Sequence, residues 1–260
     1  MIFDLRISNL AKIREMKLNL VFLFLLVIST TFGQDEASEK KIIFFAPNYG
    51  MQFPLGDLKN EFGIGSNVGL ELGLLTAKNL FFSIHGDQLF GNNVKDTTIL
   101  DHLMDENLNI IDQNGQIADI LLLERGFNFQ FKAGYLFPLN NETSGVLAYA
   151  TIGYHQHRIK IDVKNDNVPQ LNDEYKKMYD QMVAGPMTSV FLGYLNISRS
   201  SGIHFYGGLE FGRAFSKNQR SYNYINGGPI NGIRNDSFVA IKLGWIIPVS
   251  KRTTKEFYYF

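Results

Sequence analysis

Phe127-Asn128-Phe129-Gln130-Phe131-Lys132 sets three aromatic rings at alternate positions, with two amides and an ammonium between them. A period of two belongs to a β-strand, whose successive side chains point to opposite faces. Such a strand sits between two unlike environments. In a soluble sandwich the ring face meets a protein core. In a transmembrane barrel it meets lipid, and the polar face lines the interior.

The same alternation continues on both sides of this stretch. From Lys41 onward, eight segments read as strands: Ile42–Phe53, Asn67–Leu75, Leu80–Phe90, Ile120–Phe137, Gly145–His157, Met187–Ile197, Gly202–Phe215 and Ser237–Val249. Most reach the roughly 9–11 residues that a tilted membrane strand needs. The connections decide between the two solvents. Thr76–Asn79, Pro138–Ser144 and Ser198–Ser201 are short, whereas Pro54–Ser66, Gly91–Asp119, Arg158–Pro186 and Ser216–Asp236 are long. Short and long alternate, which gathers every long loop at one end. Bacterial barrels have short periplasmic turns, long extracellular loops and an even strand number that leaves both termini periplasmic. A sandwich has no reason to segregate its loops in this way. The expected fold is all-β: an eight-stranded antiparallel up-and-down transmembrane β-barrel over residues 42–249.

A repeat supports this count. Leu72-Gly73-Leu74-Leu75, Ala133-Gly134-Tyr135-Leu136, Leu192-Gly193-Tyr194-Leu195 and Leu243-Gly244-Trp245-Ile246 recur roughly 50–60 residues apart, one per hairpin. Tyr135, Tyr194 and Trp245 are expected in the inner aromatic girdle, where amphipathic rings sit at headgroup level. Lys132 to Leu139 and Lys242 to Val249 both read polar-x-Gly-x-x-apolar-x-apolar. That pattern resembles the β-signal by which the outer-membrane assembly machinery recognises a final strand, and it implies that machinery as a partner during insertion. The segment Ser250–Phe260 departs from the pattern by running past it as a periplasmic tail.

The long apolar run, Leu18–Ile28, is shorter than the ~20 residues of a spanning helix. Lys17 flanks it, and Thr31-Phe32-Gly33 forms a small-x-small cleavage site before Gln34. These are the parts of a signal peptide over 1–33, with Met16 an alternative start, followed by a short periplasmic segment over 34–41. Lys+Arg and Asp+Glu balance at 25 each, so no net field recruits nucleic acid. There is no cysteine, which excludes disulfides, thiolate metal sites and a lipidated N-terminal cysteine.

With the rings outward, Glu71, His85, Asp87, Glu124, Gln130, Lys132, His204, Glu210 and Lys242 fall inside. An eight-stranded barrel is barely wide enough for its own side chains. Glu71, Lys132, Glu210 and Lys242 are therefore read as a self-neutralising charge network that plugs the lumen; the competing reading is a gated polar conduit. His155 and His157 form a candidate polar site at the outer rim, and His85 with Asp87 and His204 with Glu210 are similar interior pairs. Catalysis needs a nucleophile, a base and an orienting group within reach, and no serine motif accompanies these histidines. Two histidines on one strand also leave a metal site incomplete. No catalytic, cofactor or metal residues are expected.

Two outer-loop stretches have helical spacing: Asp101–Ile111 and Asn172–Val183. In the second, Tyr175, Met178, Tyr179 and Met182 form an i, i+3, i+4, i+7 stripe behind Asn172 as a cap, a candidate partner-contact loop. Arg213 and the run Lys217–Tyr224 offer cations and rings to lipopolysaccharide.

Phe32-Gly33-Gln34, the repeated Gly-aromatic strand ends, Phe205 to Phe211 (FYGGLEF) and Gly244 to Pro248 (GWIIP) before Lys251-Arg252 together resemble the small outer-membrane barrels of the Bacteroidota, including those associated with type IX secretion and gliding. The resemblance covers nearly all of the mature chain. It implies an accessory role in such a machine, with secretion or gliding proteins as partners, and brings no catalytic residues. The expected function is structural or interactional and non-enzymatic. A small-solute channel and a lipid-modifying enzyme are the alternatives.

Overall fold

The computed structural model describes residues 41–141, 143–164, 168–197, 203–224, 227–228 and 231–249. The expected signal peptide, the 34–41 segment except Lys41, and the 250–260 tail lie outside the described residues.

Eight strands form the wall: β1 (Ile42–Gly56), β2 (Gly65–Leu75), β3 (Leu80–Gly91), β4 (Asp119–Asn141), β5 (Ser144–Lys164), β6 (Val183–Asn196), β7 (Phe205–Asn218) and β8 (Arg234–Trp245). Each pairs antiparallel with the next, and β1 closes the ring by pairing with both β2 and β8. The closing register sets Gly50 opposite Lys242 and Gly56 opposite Asp236. Closure removes the unpaired edge that would otherwise expose backbone N–H and C=O groups.

The faces separate sharply. Phe127, Phe129 and Phe131 are 40, 43 and 51% exposed, while Asn128, Gln130 and Lys132 between them are at most 3% exposed. Val68, Leu70 and Leu72 on β2 are likewise outward and bare, as are Leu192, Leu209, Ile241 and Leu243. Apolar side chains left uncovered on every strand of a closed ring form a belt that water would penalise and hydrocarbon accepts. Tyr135, Tyr194, Phe205 and Trp245 stand outward at the short-turn end, with Phe127, Tyr154 and Phe215 nearer the long-loop end. Eight residues separate Phe127 from Tyr135, about 26 Å along a strand and about 20 Å along the axis at ~40° tilt. That is close to the ~25 Å apolar band of such proteins. The molecule is an eight-stranded antiparallel up-and-down transmembrane β-barrel, and no described helix is long and apolar enough to cross a membrane.

The hairpins follow local chemistry. At the β2–β3 turn, Asn79 takes a φ of +62°, a conformation its short polar side chain tolerates, and Leu80 N donates to Thr76 Oγ1 at 3.0 Å. At the other end the strands run past the expected boundaries. β5 continues to Lys164, and β6 begins at Val183 rather than Met187. Loop residues Leu58, Phe62, Ile99, Leu100 and Leu171 pack with Ile159, Ile161 and Tyr179 into a buried apolar cluster at this end.

The helical spacing in the loops is only partly realised. Residues Thr98–Leu103 form a 3₁₀ turn, after which the chain leaves helical geometry at Met104. In the second stretch a single turn, α1 (Lys176–Tyr179), forms; Gln181 at φ +46° breaks it so that the chain can enter β6. Asn172 still anchors its start, its Oδ1 accepting from the backbone N–H groups of Glu174 and Tyr175.

Candidate functional site

Three layers of side chains fill the barrel. At the short-turn end the inward residues are apolar, not polar. Phe44, Phe81, Tyr149 and Phe191 stack in sequence with ring centroids 5.7, 5.7 and 4.5 Å apart, and Tyr206 meets Phe191 edge-on at 6.1 Å. The repeat glycines make room for them. A Cβ on Gly73 would lie 2.1 Å from Phe44 Cζ, and one on Gly244 would lie 2.2 Å from Tyr206 Cε1. At Gly244 the repeat thus serves both faces of the wall, with the Trp245 ring outward and a vacancy for the Tyr206 ring inward.

The middle layer is ionic and fully buried. Lys132 Nζ donates to Glu71 Oε2 at 2.8 Å, and Tyr206 Oη donates to the same oxygen at 2.9 Å. Lys132 also lies 4.9 Å from the centre of the Tyr149 ring. Lys242 Nζ is 2.6 Å from Glu210 Oε2 and 3.7 Å from Asp87 Oδ2. Ser189 Oγ donates to the other oxygen of Glu210 and bonds Thr151 at 2.7 Å. His85 Nδ1 stands 3.6 Å from Asp87 Oδ2 and bonds Gln130 at 3.2 Å. Three carboxylates and two ammonium groups are therefore knitted across β2, β3, β4, β7 and β8. Removal of Glu71, Lys132 or Lys242 would leave a partner charged and unpaired in the buried interior.

The third layer lies between this network and the loop cluster. His155 and His157 are here, enclosed in the lumen and not at the rim, because β5 extends to Lys164 and the apolar loop cluster covers them. His155 Nδ1 bonds Asn128 Oδ1 at 2.6 Å, and His157 Nε2 lies 3.3 Å from Asp236 Oδ2. Phe62 packs edge-on to His157 at 5.3 Å. Asp236 also accepts from Arg234 at 3.2 Å, and Arg234 pairs with Glu61 in turn. Glu124 is buried nearby, one inward position above Gly126, the residue opposite His157.

No protein-family model matches the chain, and no curated protein matches it at a significant level. Two crystal structures of Ail, the attachment invasion locus protein of Yersinia pestis, are similar at 8% identity over 80% of this chain and 99% of that one. Their TM-scores are 0.36, for Ail in complex with the heparin analogue sucrose octasulfate, and 0.37. The fold assignment rests instead on the closed strand ring and its apolar belt.

The remaining expected residues are dispersed. His204 precedes β7 and is half-buried, engaged through its backbone carbonyl by Ile246 N at 2.8 Å. It forms no pair with Glu210, which lies in the ionic layer on the same strand's inner face. Of the loop stripe, Tyr179 is buried against His102, with its hydroxyl 2.9 Å from His102 Nε2; Met178 and Met182 are half-buried, and Tyr175 alone is exposed. Tyr224 also stacks on His102 at 4.7 Å, with its ring 5.4 Å from that of Tyr179, and is itself 46% exposed. Arg220 is tied to Asp180, whose carboxylate holds the guanidinium above its ordinary value. Arg213 lies along the outer face over Phe215, 5.1 Å from the ring centre.

Sequence reasoning missed Tyr206, Ser189, Asn128 and Asp236. Asp236 is the one the sequence offers: inward positions 242, 240 and 238, read back two at a time, arrive at 236, where the long connection ends.

Proposed function

We propose that this protein is a non-enzymatic outer-membrane barrel with a structural or interaction role, an anchor that presents its long-loop end to a partner. The filled lumen carries this reading. Among the described residues an aromatic layer, an ionic layer and an apolar loop cluster lie in series across the lumen, which disfavours transport of small solutes. The enclosed histidines likewise offer no open cleft to a lipid substrate. The loop end has the features of a contact surface: Tyr175, Tyr222 and Tyr224 are exposed there with Leu108, Ile117 and Ile233.

On this reading an exported chain is inserted by the barrel-assembly machinery with both termini periplasmic. Membrane lipid covers the belt, Tyr135, Tyr194 and Trp245 sit at the inner headgroups, and Arg213 and Lys217 reach lipopolysaccharide. Resemblance to the small Bacteroidota barrels supports secretion or gliding proteins of the type IX machinery as the docking partners.

Two measurements test this. The purified mature barrel in planar bilayers should show no steady conductance. A photo-crosslinker at Tyr175 or Tyr224 in cells should capture a defined envelope protein that one at the lipid-facing Leu192 does not. Steady single-channel currents, or identical products from both positions, would overturn the proposal.

A further inference from the structure

Among the described residues, one group of histidine and acidic side chains is close enough to hold a metal ion: His155, His157 and Asp236, whose donor atoms lie within 4.8 Å of one another. All three are buried in the third lumen layer. We propose that they bind a divalent transition-metal ion of the zinc class, which straps β5 to β8 across the lumen beneath the loop cluster.

Three observations support the site. The first is tautomeric. Asp87 only accepts, so Asn128 turns its Nδ2 toward Asp87 Oδ1, 2.7 Å away, and presents Oδ1 to His155. His155 Nδ1 must then donate. The neutral ring is left with its lone pair on Nε2, which is buried and has no hydrogen-bond partner. A second-shell acceptor on one ring nitrogen with a bare lone pair on the other is how metal-binding histidines are held.

The second is spacing. Metal–ligand bonds of about 2.0–2.2 Å in a tetrahedral shell place neighbouring donors roughly 3.3 Å apart. The separation of His157 Nε2 from Asp236 Oδ2 is 3.3 Å. Arg234 binds the other oxygen of Asp236, leaving Oδ2 directed at His157.

The third is charge and shelter. Two neutral imidazoles and one carboxylate leave a bound dication with one excess positive charge, and Glu124 is the buried carboxylate nearby that opposes it. The fourth position falls to water. Phe62 and the cluster above exclude bulk solvent, so the ion enters as the barrel folds. Two histidines and one carboxylate with one further position is a borderline-metal donor set, unlike the all-oxygen shells of calcium or magnesium.

The test refolds the untagged mature chain from urea into detergent with Co²⁺ as the probe. One Co²⁺ per chain, with the intense visible absorption of a tetrahedral site and displacement by Zn²⁺, is the expected result. His155→Gln and Asp236→Asn should each weaken binding by more than about tenfold while the band remains heat-modifiable, the mark of a folded barrel. X-ray absorption of the Zn²⁺-loaded wild type provides a readout independent of any variant, and two imidazoles should appear in the first shell. A folded wild type that takes up no Co²⁺, a folded His155→Gln that binds as tightly as wild type, or a shell with fewer than two imidazoles would overturn the proposal.

Discussion

Lys242 shows what a single side chain does in this lumen. Its ammonium is fully buried between Glu210 and Asp87, whose carboxylates compensate its charge. Lys242→Met should cost about 3–5 kcal/mol, read as a lower urea midpoint for the folded band in detergent. The double change Lys242→Met with Glu210→Leu should lose less than the two single changes added together; strictly additive losses would mean that the two charges are not coupled. Gly73 shows the opposite constraint, absence of bulk. A methyl group there meets the Phe44 ring at 2.1 Å, so Gly73→Ala should lower the same midpoint by about 1–3 kcal/mol. The placement of Lys242, Lys132, Glu71 and Glu210 was legible in the sequence, because alternation alone assigns a face. The inward role of Gly73 and Gly244 was not: the rings they admit belong to strands β1 and β7, and a pairwise register is not written in either segment.

At the scale of elements, β4 and β5 are the distinctive pair, 23 and 21 residues long where the neighbouring β6 and β7 have 14 each. Their upper halves leave the apolar belt and, with the loops, enclose the cluster around Phe62, Ile99 and Ile161. Phe62→Ala should therefore open the loop end without dissolving the wall. Added protease should cut between residues 92 and 118 sooner than in wild type, while the remaining barrel stays heat-modifiable; an unchanged cleavage rate would contradict this role for Phe62. Within that loop, Asp112 organises a turn by accepting from the backbone N–H groups of Gln116 and Asn114, both at 2.8 Å. These bonds, led by the one from Gln116, hold its carboxyl below the ordinary 3.8. A depressed carboxylate contributes order above the unfolded value and loses it as pH falls through the folded one. Hydrogen exchange at the Gln116 amide should accelerate below about pH 4 and be insensitive to pH in Asp112→Ala after correction for intrinsic rates. The loop helices were the weakest part of the sequence reading. The Tyr175–Met182 stripe has the right period, yet four helical residues form because the chain must turn into β6, a demand set by the wall and invisible in the stripe itself.

At the scale of the whole molecule, the eight strands and their antiparallel order could be read in advance because lipid outside and a packed lumen inside impose one rule on every strand. What fills the lumen obeys longer-range geometry. The aromatic floor and the His157–Asp236 bridge join residues far apart in the chain, Phe44 with Tyr206 in the first and His157 with Asp236, 79 positions on, in the second. All of these roles depend on one assignment, that the exposed ring-bearing face meets hydrocarbon. The chain has a single tryptophan, and Trp245 is 61% exposed on that face at the short-turn end. Its fluorescence in bilayers of brominated phosphatidylcholine tests the assignment directly. The emission should be quenched, more by bromines near the headgroup than by bromines near the acyl-chain ends. Unquenched emission from a chain that stays folded and monodisperse in detergent-free buffer would contradict it.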